Sequence, residues 1–177
     1  MMRPQGDGMS DARESRDFPP NTVHVVRTAQ QIHVMLSQMA DQKASMLLAA
    51  TFVIFTIAIG RVGEMAEPLP LLILGGAAFC SAIFAMLAVL PTRYRGEGGI
   101  NLLFFGSFSQ LSEADYVDRV VDTIADEEAA FRLMLTDLYQ NGLVLERKKY
   151  RLLGYAYRTF LAGLVASFIA FVAGYFI

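Results

Sequence analysis

Three long stretches of the chain carry no acidic or basic side chain inside them. A helix needs roughly 20 apolar residues to cross ~30 Å of hydrocarbon, because its backbone polar groups must bond to one another where water is absent. The first stretch is short, but Lys43 and Arg61 bracket it and can extend their charged ends to the two interfaces. The pattern therefore predicts three transmembrane helices, over residues 44–61, 68–91 and 159–177.

The segment before the first span has the period of an amphipathic helix. Its apolar residues recur at spacings of three and four: Val25, Ala29, Ile32, Leu36 and Met39. Because neither Gly nor Pro interrupts residues 23–59, residues 21–43 are predicted to form a cytosolic amphipathic helix that runs directly into the first span. Residues 1–20 are polar, contain Pro and Gly, and are predicted to be a disordered tail.

Residues 92–158, between the second and third spans, are predicted to be a helical cytosolic segment. Ser112 with Asp115 resembles a capping box, and a second helix opens in the acidic turn that begins at Asp126. This second helix is expected to continue into the third span. The predicted fold is an all-α membrane protein, with a long N-terminal helix entering the first of three spans and a helical insert between the second and third.

The distribution of Lys and Arg predicts the orientation. Basic residues concentrate before the first span and within residues 92–158, and the positive-inside rule places both segments in the cytoplasm. We therefore expect a multi-pass membrane protein with its N-terminus and its long central segment in the cytoplasm. A composition of 54% hydrophobic and 18% charged residues fits that expectation, and the formal net charge of −2 argues against nucleic-acid binding.

Small residues form a flat side on two of the predicted spans. Lipid provides no hydrophobic driving force for helices to associate, so van der Waals contact between them must provide it. Small residues favour association because they permit close backbone approach. This pattern predicts packing within one subunit, or contact between subunits of a homo-oligomer. The residues concerned are Gly75, Ala78 and Ala82 in the second span, and Ala162, Ala166, Ala170 and Gly174 in the third.

The chain shows no motif for catalysis, a metal or a cofactor. The two histidines, His24 and His33, lie nine positions apart in one predicted helix and so face roughly opposite ways. The predicted spans contain no acid, base or metal ligand of the kind that chemistry within a membrane requires. We therefore expect a protein that is not an enzyme and that uses no cofactor.

Four short motifs, in their order relative to the spans, resemble the transmembrane effector family of Pycsar antiphage defence. The resemblance covers residues 39–163, and Leu102 stands where family members often have proline. The motifs are Asp41-Gln42-Lys43-Ala44-Ser45, Asn101-Leu102-Leu103-Phe104-Phe105-Gly106, Asp137-Leu138-Tyr139 and Lys149-Tyr150-Arg151.

The resemblance implies a membrane effector that responds to a cyclic pyrimidine nucleotide, cyclic CMP or cyclic UMP. A partner cyclase makes this nucleotide during phage infection, and the effector impairs the inner membrane so that the infected cell dies before phage matures. One alternative is a constitutive membrane scaffold that binds a protein partner through its cytosolic helices. A second and weaker alternative is a membrane-embedded enzyme whose polar residues meet only after folding. For the effector, basic residues are predicted to hold the phosphate and the aromatic motif to hold the base. The predicted ligand-binding residues are Lys43, Arg95, Asn101, Phe104, Phe105, Lys149 and Arg151.

Overall fold

The computed structural model describes residues 18–64, 68–91 and 99–176, and these residues form an all-helical protein. The predicted tail up to residue 17 and the predicted contact Arg95 lie outside the described residues. The helices are α1 (Thr22–Arg61), α2 (Leu69–Val89), α3 (Phe105–Phe108), α4 (Glu113–Ile124), α5 (Glu127–Val144) and α6 (Arg151–Phe176), with a π-helical turn at Leu145–Tyr150 between α5 and α6.

Three helical stretches are long and apolar enough to cross a membrane: α1, α2 and the continuous run Glu127–Phe176. The 40 residues of α1 continue without a break from its polar first half into its apolar second half, as the sequence predicted. The run from α5 through the π-helical turn into α6 is equally unbroken. Two of the three stretches therefore each join a polar segment to a candidate membrane span without a break in the helix.

Helix α2 packs against both α1 and α6 and runs antiparallel to each. The Ser81 hydroxyl donates to the Ala156 carbonyl at 2.8 Å, and the Ser167 hydroxyl donates to the Pro70 carbonyl at 2.7 Å. The two bonds lie eleven residues apart on both helices, so they fix one antiparallel register between α2 and α6. In an apolar environment such hydroxyl bonds between helices stabilise association that lipid itself does not drive.

The packed face of α2 consists of small residues, which lets the backbones approach closely. A Cβ atom added to Gly75 would lie 2.8 Å from the Cβ of Ala58 on α1, and one added to Gly163 would collide with the Cβ of Ala77. Both glycines are buried, as is Ala78, whereas Ala82 is half-buried. The helices therefore lie so close at these two contacts that only glycine fits without a shift of the backbones.

The packed face of α6 differs from the small-residue stripe in the sequence. Its buried residues are Leu153, Ala156, Gly163 and Ser167. In the stripe, by contrast, Ala162, Ala166 and Gly174 are exposed and Ala170 is half-buried. The stripe therefore does not form the contact within one subunit, and its alternative interpretation as a contact between subunits stays a prediction.

Helices α4 and α5 begin where the sequence predicted. The Ser112 hydroxyl accepts from the Asp115 amide at 3.1 Å, and the Asp126 carboxylate accepts from the Glu128 amide at 3.2 Å. The Phe108 and Tyr116 rings lie 4.7 Å apart between centroids and join the short α3 to α4. Asn101 ties the start of this segment to α5 through Asp137 and Gln140. The segment thereby closes one side of a cavity.

We predict that Gly163→Ala destabilises the protein although alanine is the better helix former. The added methyl group must push α2 and α6 apart, and overpacking of this kind costs about 1–3 kcal/mol. Thermal unfolding of the purified protein in detergent should show a lower Tm. Gly174→Ala is the matched control, because nothing lies within 4 Å of a Cβ at that position of the same helix. Equal Tm values for the two variants would contradict the tight contact.

Candidate functional site

A cavity of about 400 Å³ lies between α1, α5, the carboxyl end of α2 and the aromatic pair Phe104 and Phe105. Its volume falls in the range of roughly 300–1,000 Å³ that is typical of small-molecule sites. Next to it, Ala40 and Ala44 of α1 pack on Leu153 of α6, where the candidate membrane spans begin. The polar residues that line the cavity are Gln30, His33, Ser37, Gln38, Asp137, Gln140, Asn141 and Lys149.

The first half of α1 turns several polar side chains toward the cavity. Gln30, His33 and Ser37 are half-buried and line the cavity, whereas the apolar residues Val25 and Ile32 are 69% and 50% exposed. The same helix packs inside the subunit through the buried residues Val26 and Ala40. Its inward side is therefore apolar where it packs and polar where it lines the cavity.

Lys149 links the π-helical turn to α1 at one end of the cavity. Its Nζ atom lies 2.7 Å from both carboxylate oxygens of Asp41 and 2.7 Å from the Ser37 hydroxyl. The side chain of Lys149 is 19% exposed and that of Asp41 is 40% exposed. All three N–H groups of the ammonium thus have acceptors within reach, in a setting that water only partly screens.

The neighbouring lysine contacts the end of α2. The Lys148 Nζ donates to the Leu90 carbonyl at 2.6 Å, just after the last turn of that helix. Burial, together with the positive charge of Lys149 beside it, lowers the pKa of Lys148 below its ordinary value. A π-helical turn places successive side chains differently from an α-helix and often marks a functional site. Here it carries both lysines, one directed to α1 and one to α2.

Asn101 lies behind the cavity wall, at the end opposite Lys149, and holds that wall in place through hydrogen bonds. It is 4% exposed, and its side-chain amide donates to Asp137 at 3.1 Å and to Gln140 at 2.8 Å. Its side-chain oxygen accepts from the Leu103 amide at 2.9 Å. The other carboxylate oxygen of Asp137 accepts from Gln30 of α1 at 3.3 Å. Asn101 therefore fixes two polar groups of the lining and the turn that leads to Phe104.

His33 was not predicted from the sequence as a ligand contact. Its Nδ1 atom is buried and, within the part of the chain that the structure describes, has no hydrogen-bond partner. The ring lies against Gly142 of α5, where an added Cβ would meet the ring carbon Cε1 at 3.1 Å. A buried polar atom without a partner is costly, so a polar ligand in this cavity would gain by supplying one.

The predicted ligand-binding residues fall into three groups. Phe104, Phe105 and Lys149 line the cavity, and Asn101 supports its wall. Lys43 and Arg151 are exposed and lie outside the lining. The polar positions of α1 were not predicted, although their spacing of three and four, from Gln30 to His33 to Ser37, is a helical pattern that could have indicated them.

The fold and cavity define a class: an all-helical protein with three helical stretches that could cross a membrane, and a cavity of small-molecule size at the base of two of them. A family model described as the Pycsar effector protein domain, PycTM, matches residues 24–174. The chain therefore belongs to the PycTM family of Pycsar effectors, as its motifs indicated. Neither the curated proteins nor the solved structures contain a match to it.

We predict that Asn101→Asp destabilises the protein by about 1–3 kcal/mol, because it replaces the amide donor to Asp137 with a second buried acceptor. The double variant N101D/D137N returns a donor to the pair with the positions exchanged, and should recover part of the loss. Denaturant unfolding in detergent measures both. Equal unfolding midpoints for N101D and the unsubstituted protein would show that this network does not hold the cavity wall.

Proposed function

We propose that this protein is a membrane effector activated by a cyclic pyrimidine nucleotide, and that the cavity between α1 and α5 is the nucleotide site. The observation that carries the proposal is the lining itself, in which an ammonium, several amides and two aromatic rings meet in a chain of the Pycsar effector family. The ammonium suits an anionic ring phosphate, the amides suit a ribose, and the aromatic rings suit a flat base.

Lys149 is the proposed phosphate contact. Its ammonium lies in the cavity wall, and its present acceptors are Asp41 and Ser37. Phosphate oxygens are strong acceptors of charge-assisted hydrogen bonds, so the nucleotide competes with Asp41 for the same N–H groups. Phe104 and Phe105, with ring centroids 5.2 Å apart, provide an apolar surface for the base.

Competition for Lys149 gives the nucleotide a means of changing the protein. A ligand shifts a conformational equilibrium only when it binds one arrangement better than the other. The arrangement described here has Lys149 on Asp41, which ties the π-helical turn to α1. A nucleotide that takes the ammonium favours arrangements in which α1 and the π-helical turn are no longer tied at this point.

Such a change would reach the membrane directly. Asp41 lies in the same unbroken helix as the first span, and Lys149 lies in the same unbroken helical run as the third. We propose that movement of these two spans impairs the inner membrane, so that an infected cell dies before phage matures. On this proposal the cavity faces the cytoplasm, where the partner cyclase releases its product, and the protein acts without catalysing a reaction.

We predict that the purified protein in lipid nanodiscs binds cyclic CMP or cyclic UMP more tightly than cyclic AMP or cyclic GMP. Lys149→Ala should weaken binding at least about tenfold, or about 1.4 kcal/mol, through loss of the phosphate contact. Calorimetric titration measures both. Lys43→Ala and Arg151→Ala are the matched controls, since these cationic side chains are exposed and outside the cavity. Binding of none of the four nucleotides, or equal loss in all three variants, would overturn the assignment of the site.

We predict that Asp41→Asn makes the effector more sensitive, because it removes the competitor for Lys149 while keeping a side chain of the same shape. Cells that express this variant should lose membrane potential at a lower concentration of added nucleotide, or with none added. The exchanged pair D41K/K149D should keep its potential and no longer respond, since it restores the ion pair and puts a carboxylate where the phosphate binds. A normal response from D41N would argue against competition at Lys149.

A further inference from the structure

One row of apolar residues on α1 repeats every seven positions along almost the whole helix. These residues are Val25, Ile32, Met39, Met46 and Val53, and they are 69%, 50%, 42%, 57% and 55% exposed. An apolar repeat of seven residues is typical of a helix that pairs with another along its length. We propose that this row is the contact between two copies of the chain, with their α1 helices side by side.

A second row lies three residues further along, and apart from Met35 its residues are small or polar. It consists of Thr28, Met35, Gln42, Ala49 and Thr56, and all five are exposed. In the usual heptad notation, the two rows occupy positions a and d, which interdigitate between paired helices. Ala49 and Thr56 are small enough for close approach within the bilayer, and Gln42 can hydrogen-bond to its copy at the membrane edge. The two rows together are called the α1 seam below.

The α1 seam and the face that packs inside the subunit lie on different sides of the helix. Val26, Ala40 and Leu47 are buried, and His33 is half-buried in the cavity wall. Each of these four inward residues directly follows an a-position residue, which places it about 100° further around the helix. The subunit therefore uses one side of α1 for itself and leaves the seam unpaired.

A second copy of the chain fits the seam better than lipid does. Lipid can cover Met46 and Val53, but Val25 and Ile32 lie on the half of α1 that also carries Gln30 and the charged Asp41, outside the hydrocarbon. The seven-residue repeat crosses from one environment to the other without a shift of register. A shared membrane holds two copies of α1 parallel and at the same depth, so the seam of one copy meets the same residues of the other.

This contact does not depend on which ligand fills the cavity. It would nevertheless lie close to the site, because Ile32 of the seam directly precedes His33 of the lining on the same helix. Any movement of α1 caused by the nucleotide would therefore also move the contact between copies. The seam is a different surface from the small-residue stripe on α6.

Cysteine crosslinking in native membranes tests the seam. Cys80 is first replaced by serine, and single cysteines are then placed at Val25, Ile32 or Met39. The matched control is Arg27→Cys, which is exposed and lies in the same turn as Val25 but points away from the seam. The amount of each variant in the membrane fraction reports correct insertion. Samples are oxidised with and without cyclic CMP and cyclic UMP, and the disulfide-linked dimer is measured on a non-reducing gel.

We expect the three seam cysteines to form dimers several-fold more than Arg27→Cys, in at least one of the ligand conditions. Adding Met35→Glu to each seam variant should abolish the difference, because it places like charges across the contact. Similar yields at Val25 and Arg27, or no dimer at any position in all conditions, would overturn the proposal. Nucleotide binding is titrated separately on the same variants, so that a failure of the seam and a failure of the proposed ligand site are told apart.

Discussion

Close packing of small residues along α2 fixes the positions of α1 and α6. Gly75 allows α1 to approach, Gly163 allows α6 to approach, and two serine hydroxyls set the register between α2 and α6. In a bilayer this packing must supply the association energy that water supplies elsewhere. Because α1 and the run from α5 to α6 continue beyond the bilayer, the same packing brings Lys149 to Asp41 and encloses the cavity.

The helices could be predicted from the sequence, and much of the site could not. Hydropathy indicated the spans, and the caps at Ser112 and Asp126 were visible as local patterns. The cavity joins Gln30 and His33 of α1 to Asp137 of α5, and a contact across more than a hundred residues leaves no local signal. Lys149 was predicted as a ligand contact, but its ion pair with Asp41 depends on how α2 holds α1 and α6 together.

Two apolar patterns in the sequence had the correct helical period, but the period did not show which way the apolar side of the helix faces. Val25, Ile32 and Met39 repeat as an amphipathic helix should, yet they face outward, because α1 packs inside the subunit through Val26 and Ala40 instead. The stripe that contains Ala162 and Ala166 likewise faces outward, and α6 packs through Gly163 instead. Periodicity states that one side of a helix is apolar. Whether the subunit, the lipid or another copy covers that side is decided by tertiary packing.

On the proposed function the nucleotide breaks the Asp41–Lys149 contact, and the partial exposure of this pair suits that role. Exposed ion pairs contribute about 0–1 kcal/mol, whereas breaking a fully buried pair costs about 3–5 kcal/mol. With Asp41 40% exposed, this pair lies between those limits, and water can solvate the carboxylate once the ammonium leaves it. A phosphate that takes the ammonium therefore leaves behind no stranded charge. The packing of Gly163 on Ala77 offers no such exchange, so a nucleotide would alter the tie between α1 and the π-helical turn while the contact between α2 and α6 stays intact.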